Sequence, residues 1–166
     1  MKLLKIQRGV SLFPITCVNG DRYDSTAELG EGNQSPMWSS MQVNTDPTVG
    51  YKGGRLSAGS YYGIKMQRPD GRWCIFIFSK ACDITKIKAF TDIDPKYYDL
   101  PSDVPNPNHA GKPIISLVLV HGGGTTWDYS HGCVTVLSTS DHPNQFDKLM
   151  DCLVENEIID IILVAA

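Results

Sequence analysis

The segment from Ile114 to Leu137 constrains the fold most, because it holds two apolar runs on either side of a glycine-rich loop. Ile114–Val120 has the length and β-branching of a buried strand, and Val134–Leu137 resumes a strand directly after Cys133. The first strand is therefore predicted to end at His121, above the loop. A strand end and a strand start that are joined in this way can hold His121 and Cys133 side by side.

The loop itself carries the residue types of nucleophilic catalysis. Imidazoles at His121 and His131 accompany the thiol of Cys133. A thiol close to two imidazoles can be deprotonated near neutral pH, and the thiolate is the reactive form. We therefore predict that Cys133 is the nucleophile and His121 the general base, and that His131 orients the site or contacts substrate. The backbone N–H groups of Gly132 and Cys133 are the predicted oxyanion donors.

Other residues of the loop are candidates for substrate binding. Gly122 allows the backbone to come close to a substrate, since it has no Cβ. Ser130 is predicted to form hydrogen bonds in the loop rather than to act as a second nucleophile. Trp127 and Tyr129 have two open interpretations, because aromatic side chains here either wall the cleft or only anchor the loop.

The order of these residues resembles the catalytic domain of the L,D-transpeptidase family. Its signature is a histidine, a variable loop and then Ser/Thr-His-Gly-Cys, as in His121 and Ser130–Cys133. Arg55–Gly63 looks like the family's Pro-x-Gly-x-Tyr/Phe segment, so the resemblance extends over roughly residues 50 to 137. It implies a β-sandwich fold and substrate contacts from Arg55 and Tyr61.

Two features distinguish this chain from the usual wall-crosslinking enzymes of that family. Thr135 stands two residues after the cysteine, where the family has Arg or Asn that binds a substrate carboxylate. The loop before Ser130 is also shorter. The short loop is similar to that of a compact branch that includes interbacterial toxins delivered by a secretion machine.

The resemblance implies a peptidoglycan L,D-transpeptidase or L,D-carboxypeptidase. Cys133 would attack the carbonyl of an L-centre, D-centre bond in a stem tetrapeptide and release D-alanine, and an amine or water would resolve the thioester. No cofactor and no metal are expected. The expected partners are peptidoglycan stem peptides and, for an antibacterial type VI secretion effector, a cognate immunity protein and the secretion machinery.

Length and composition bound the remaining expectations. A chain of 166 residues predicts one catalytic domain over residues 1–166. The net charge of −3, with no long basic run, gives no electrostatic support to a nucleic-acid partner. No apolar stretch approaches the roughly 18 residues of a membrane span. Met1–Val10 lacks an apolar region of signal-peptide length, so we expect synthesis in the bacterial cytoplasm and action in the periplasm after delivery by another route.

Periodicity and turn signals predict a mainly β domain with long loops. The predicted elements, in chain order, are two short strands within 1–18, a long surface loop over 30–54, a β-hairpin of 60–67 and 72–79 across Pro69-Asp70-Gly71, an irregular segment over 92–113, a helix over 143–156 and a final strand over 158–164. The strands, the late helix and the last strand fit the β-sandwich that the resemblance implies.

Several alternatives remain beside the enzyme hypothesis. A binding or structural module, such as a phage or secretion-apparatus component, would retain the fold without turnover. Papain-like peptidases have the cysteine before the histidine, and a lipase would need Gly-x-Ser-x-Gly, which is absent. Zinc on His121, His131 and Cys133 lacks an outlying fourth ligand.

The remaining cysteines carry no clear function in the sequence. An odd total of five leaves at least one without an intramolecular partner, and there is no Cys-x-x-Cys pair. Cys74 and Cys152 are predicted to be small buried hydrophobic residues. Cys17 and Cys82 are uninformative, and a disulfide at Cys17 stays open if the protein works outside a reducing compartment.

Overall fold

The structure is a computed structural model that describes residues 1–12, 15–16, 22–23, 25–31, 36–45, 56–94, 99–101, 114–116, 118–123, 133–138 and 145–165. Within these residues the chain forms twelve strands, one α-helix and two short 3₁₀ helices. The strands are β1 (Lys2–Gln7), β2 (Ile15–Thr16), β3 (Arg22–Tyr23), β4 (Ser25–Glu31), β5 (Pro36–Asn44), β6 (Gly59–Gln67), β7 (Trp73–Ser79), β8 (Asp99–Pro101), β9 (Ile114–Ser116), β10 (Leu119–Gly123), β11 (Val134–Leu137) and β12 (Ile158–Val164). The α-helix, α1, is Gln145–Asp151, and the 3₁₀ helices are Ile84–Lys86 and Phe90–Asp92.

Eight of the strands close into a barrel. The order is β1-β12-β6-β7-β10-β11-β5-β4, and β4 pairs with β1 to complete the ring. β1 runs parallel to β12 and β10 runs parallel to β11, whereas the other neighbours in the ring are antiparallel. The prediction of a mainly β fold is confirmed. The sandwich is not, because pairing of β4 with β1 leaves no open edge at which two facing sheets would separate.

The β6–β7 hairpin agrees with its prediction from the turn sequence. The two strands are in register from Tyr61 opposite Ser79 to Gln67 opposite Trp73. Gly71 has a φ of 88°, in the left-handed region that favours glycine. The Arg68 N–H donates to the Arg72 carbonyl at 2.8 Å, which closes the turn.

Side chains alternate between two buried clusters on the two faces of the barrel wall, since successive strand residues point to opposite sides. On β7, Ile75 and Ile77 join the inner cluster, while Phe76 and Phe78 join the outer cluster. The inner cluster fills the barrel and consists of Leu4, Ile6, Ala27, Leu29, Met41, Val43, Leu56, Tyr61, Ile75, Ile77, Val118, Val120, Val134, Val136, Leu149, Met150, Leu153, Ile159, Ile161 and Leu163. The outer cluster consists of Ile64, Met66, Cys74, Phe76, Phe78, Cys82, Ile84, Ile87, Ile93 and Leu119.

Helix α1 packs against the inner cluster. Leu149 and Met150 of α1 belong to the inner cluster, so the helix directs its apolar face into the barrel. The Lys65 ammonium donates to the carbonyls of Met150 and Leu153 at 2.7 and 2.9 Å, satisfying acceptors at the end of the helix. The helix ends at Asp151, before the predicted end at residue 156, and the final strand, β12, has the predicted bounds.

Three sequence predictions about strands are wrong. The segment predicted to be irregular over 92–113 contains the short strand β8. The loop predicted over 30–54 contains β5, in which Met41 and Val43 face the inner cluster while Gln42 and Asn44 are buried polar residues. Glycine- and serine-rich flanks concealed this short alternation. The single strand predicted over Ile114–Val120 is divided, because β9 pairs with β8 outside the barrel and β10 begins at Leu119. His121 consequently lies inside β10 rather than at its end.

Candidate active site

The parallel pair β10–β11 brings the predicted base and nucleophile to one face of the barrel wall. Val120 is opposite Val134 and His121 is opposite Thr135, and Cys133 immediately precedes β11. Because side chains alternate, His121 and Cys133 share the outer face, away from the inner valines. They are diagonal neighbours, for which the typical separation of Cα atoms is about 8 Å.

The thiol of Cys133 lies at the edge of the outer cluster. Cys133 is partly buried and packs against that cluster. Its Sγ accepts a hydrogen bond from the Leu119 N–H at 3.4 Å. An N–H directed at sulfur stabilises the thiolate relative to the thiol, since a hydrogen bond to the charged form favours that form. The wall of the barrel therefore supplies a backbone donor to the predicted nucleophile.

The imidazole of His121 is held in one tautomer by the backbone carbonyl of the next residue. Nδ1 lies 2.9 Å from the carbonyl oxygen of Gly122. Since a carbonyl only accepts, Nδ1 carries the hydrogen and donates, and Nε2 keeps its lone pair. Burial lowers the pKa of His121 below its usual 6.5, the Gly122 hydrogen bond opposes this shift, and the positive charges of Arg68 and Arg72 add to it. Near neutral pH the side chain is therefore neutral, as a general base must be.

A second thiol on the same face has the opposite character. Cys74 is fully buried in the outer cluster, and its Sγ donates to the Met66 carbonyl at 3.6 Å. Burial is the main reason that the pKa of Cys74 is raised to about 12. Burial thus suppresses the thiolate at Cys74, whereas the sulfur of Cys133 lies at the edge of the outer cluster and accepts a backbone N–H, although both cysteines belong to the same side of the wall.

Alkylation by iodoacetamide near neutral pH is expected to modify Cys133 well before Cys74. With a pKa of about 12, Cys74 has a thiolate fraction on the order of a thousandfold smaller than an ordinary cysteine, in addition to its burial. The measurement is the rate of labelling of each cysteine by peptide mass spectrometry, with the partly buried Cys152 as an internal reference. Equal rates for Cys133 and Cys152 would contradict an activated thiol at Cys133.

Thr135 is the register partner of His121, on the same face. Its side chain is fully buried, with 0% exposure. Within the described part of the chain its Oγ1 has no hydrogen-bond partner. The position two residues after Cys133 therefore carries a neutral hydroxyl that does not reach the surface.

The remaining predicted site residues divide into those that the structure describes and those that it does not. A Cβ on Gly122 would lie 3.2 Å from Cδ1 of Phe146, so the α-carbon of Gly122 faces α1 while its carbonyl serves His121. Tyr61 lies in the inner cluster with 6% exposure, and its hydroxyl donates to the Ser57 carbonyl at 2.7 Å. Arg55, Trp127, Tyr129, Ser130, His131 and Gly132 lie outside the described residues.

Sequence reasoning missed the groups that support the two candidates. The Leu119 N–H and the Gly122 carbonyl are backbone groups, which leave no pattern in the side chains. Arg68 and Arg72 were also missed, although their position on either side of the predicted Pro69-Asp70-Gly71 turn gave a signal. Two cations that flank a hairpin turn lie close together wherever the turn is placed.

The described residues contain no group of three or more His, Cys, Asp or Glu side chains that could hold a metal ion. None of the helices in the described ranges is long and apolar enough to cross a membrane. Comparison of the chain with protein-family models, with curated proteins and with solved structures found no match.

Proposed function

We propose that the protein is a cysteine-dependent acyltransferase of the L,D-transpeptidase type, which acts on peptidoglycan stem peptides as a transpeptidase or a carboxypeptidase. The observation that carries this proposal is the parallel register of β10 and β11, which puts His121 and Cys133 on one face. A neutral imidazole with its Nε2 lone pair available and a thiol that accepts a backbone N–H have complementary roles.

The first half of the reaction would form a thioester. His121 Nε2 takes the proton of Cys133, and the sulfur bonds to the carbonyl carbon between an L-centre and a D-centre of the stem. The tetrahedral adduct collapses as the C–N bond breaks, and the imidazolium of His121 returns its proton to the leaving amine. The Gly122 carbonyl stabilises that imidazolium, because it accepts the hydrogen bond from Nδ1 throughout.

The second half would return the enzyme to its starting state. An amine or a water loses a proton to His121 and attacks the thioester carbon. The C–S bond breaks, and the sulfur of Cys133 leaves as a thiolate that takes the proton back from His121. The Leu119 N–H lies 3.4 Å from that sulfur and favours its departure as an anion. An amine acceptor gives crosslinking or exchange, and water gives carboxypeptidation.

Mass spectrometry of the intact protein tests the proposal directly. The purified protein is mixed with a disaccharide-tetrapeptide muropeptide, and samples are quenched at early times. We expect a mass increase equal to the acyl part of the stem, release of D-alanine, and fragment ions that place the adduct on Cys133. Absence of both the adduct and any product, from folded protein with an intact thiol, would favour the binding-module alternative.

A further inference from the structure

The end of the β6–β7 hairpin places two arginines on the same outer face as the candidate site. Arg68 follows Met66 by two residues and Arg72 precedes Cys74 by two residues, and Met66 and Cys74 both belong to the outer cluster. The Arg68 N–H donates to the Arg72 carbonyl, so the two residues stand opposite each other. The alternation of the two strands therefore places both positions on the outer face.

The register relates these arginines to His121. β10 pairs with β7 through Leu119 opposite Phe76 and Val120 opposite Ile75. Continuing this antiparallel register by one residue places His121 opposite Cys74. Continuing it by two more residues places Gly123 opposite Arg72. Cys133, His121 and Arg72 thus lie along one diagonal of the outer face, and Arg68 stands beside Arg72 on the next strand.

The two arginines differ in their ion pairing. Arg72 is bound to Asp70, with Nε and Nη2 at 2.9 and 2.7 Å from Oδ2. Arg68 is partly buried and makes no ion pair within the described part of the chain. Its positive charge acts on the site, since it lowers the pKa of both His121 and Cys74. Among the described residues, the nearby carboxylate of Asp70 is bound by Arg72 rather than by Arg68, so the Arg68 guanidinium near the imidazole fits a further anionic ligand.

We propose that Arg68 binds the C-terminal carboxylate of the acyl-donor peptide, on the leaving-group side of His121. This inference rests on the proposed function, because it assigns a role to the residue that leaves as an amine. His121 must reach the nitrogen of that residue to protonate it. The carboxylate of that residue then lies on the side of His121 that faces away from Cys133. The diagonal from Cys133 through His121 leads to the arginines on that same side.

The buried hydroxyl of Thr135 supports this assignment. Thr135 has neither a positive charge nor access to the surface, so it does not replace the Arg or Asn of the family as a carboxylate ligand. A guanidinium supplied by the hairpin would take over that task from a different strand. The specificity would be for peptides with a free terminal carboxylate rather than a terminal amide.

Ligand binding observed by NMR tests this inference without requiring turnover. N-acetyl-D-alanine and N-acetyl-D-alaninamide are titrated separately into isotopically labelled protein, and the ring resonances of His121 are followed. We expect the carboxylate ligand to shift these resonances and the amide to bind more weakly, by roughly 10- to 100-fold, as for loss of a charge-assisted hydrogen bond. R68Q should weaken the carboxylate ligand by a similar factor and leave the amide unchanged, and R68K should fall between.

Lys5→Gln is the matched control, since it removes one positive charge from an exposed site on β1, four strands from β10 in either direction around the barrel. It should bind both ligands as the wild type does. Equal affinity of wild type and R68Q for N-acetyl-D-alanine, or equal affinity of the wild type for the two ligands, would overturn the inference. Selective carboxylate binding together with no acylation by the muropeptide would overturn the proposed function alone.

Discussion

Replacing Cys133 by alanine is expected to lower the rate of D-alanine release from a tetrapeptide muropeptide by at least about 10³-fold, because the covalent route is lost with its nucleophile. The fold should remain, since the change removes one sulfur atom at the edge of the outer cluster, together with the hydrogen bond that it accepts from the Leu119 N–H at 3.4 Å. Product analysis by mass spectrometry gives the rate, and circular dichroism with thermal unfolding gives the fold.

Cys74→Ala is the matched control for this experiment. Cys74 is fully buried in the outer cluster, so its truncation leaves a cavity and should lower the free energy of unfolding by about 1–2 kcal/mol. Its raised pKa gives it no part in the reaction, and turnover should persist. The two variants therefore separate catalytic loss from loss of stability. Turnover of Cys133→Ala at the wild-type rate would refute the assignment of the nucleophile.

Much of the barrel could be predicted from the sequence where the signal is local. The β6–β7 hairpin has alternating apolar residues around a Pro-Asp-Gly turn, and β12 is a run of branched aliphatics. Both carry their signal within about ten residues, which is the range over which periodicity is informative. Closure of the ring was not predictable, because pairing of β1 with β4 and β12 joins segments that are distant along the chain.

The site shows the same division between local and long-range information. The apolar run before His121 and the strand after Cys133 were sufficient to predict neighbouring strands, and β10 and β11 are indeed paired. The break between β9 and β10 was not visible, since both pieces are apolar and only their partners differ. The proposed role of Arg68 in carboxylate binding depends on the pairing of β7 with β10, a register that no local pattern specifies.

Replacing His121 by glutamine is expected to slow acylation of Cys133 by about 10²- to 10⁴-fold, the usual contribution of a general base. Glutamine keeps a polar side chain at this position but cannot take the thiol proton near neutral pH. His109→Gln, in the proline-rich segment before β9, is the matched control, because it makes the same chemical change at a histidine with no predicted role. It should acylate at the wild-type rate.

The pH dependence of acylation distinguishes loss of a base from simple misplacement of Cys133. In the wild type, protonation of His121 removes the base, so the rate should fall as the pH drops through the pKa of His121. Because burial holds that pKa below 6.5, the pH at which the acylation rate falls to half of its maximum should lie below the value for an ordinary histidine. R68Q should move the midpoint upward, since removing a nearby positive charge makes the imidazolium easier to form. In His121→Gln, the fall in rate at low pH should disappear. A midpoint at or above 6.5 in the wild type would show that a group other than His121 accepts the thiol proton. The same conclusion would follow if the fall in rate at low pH were unchanged in His121→Gln.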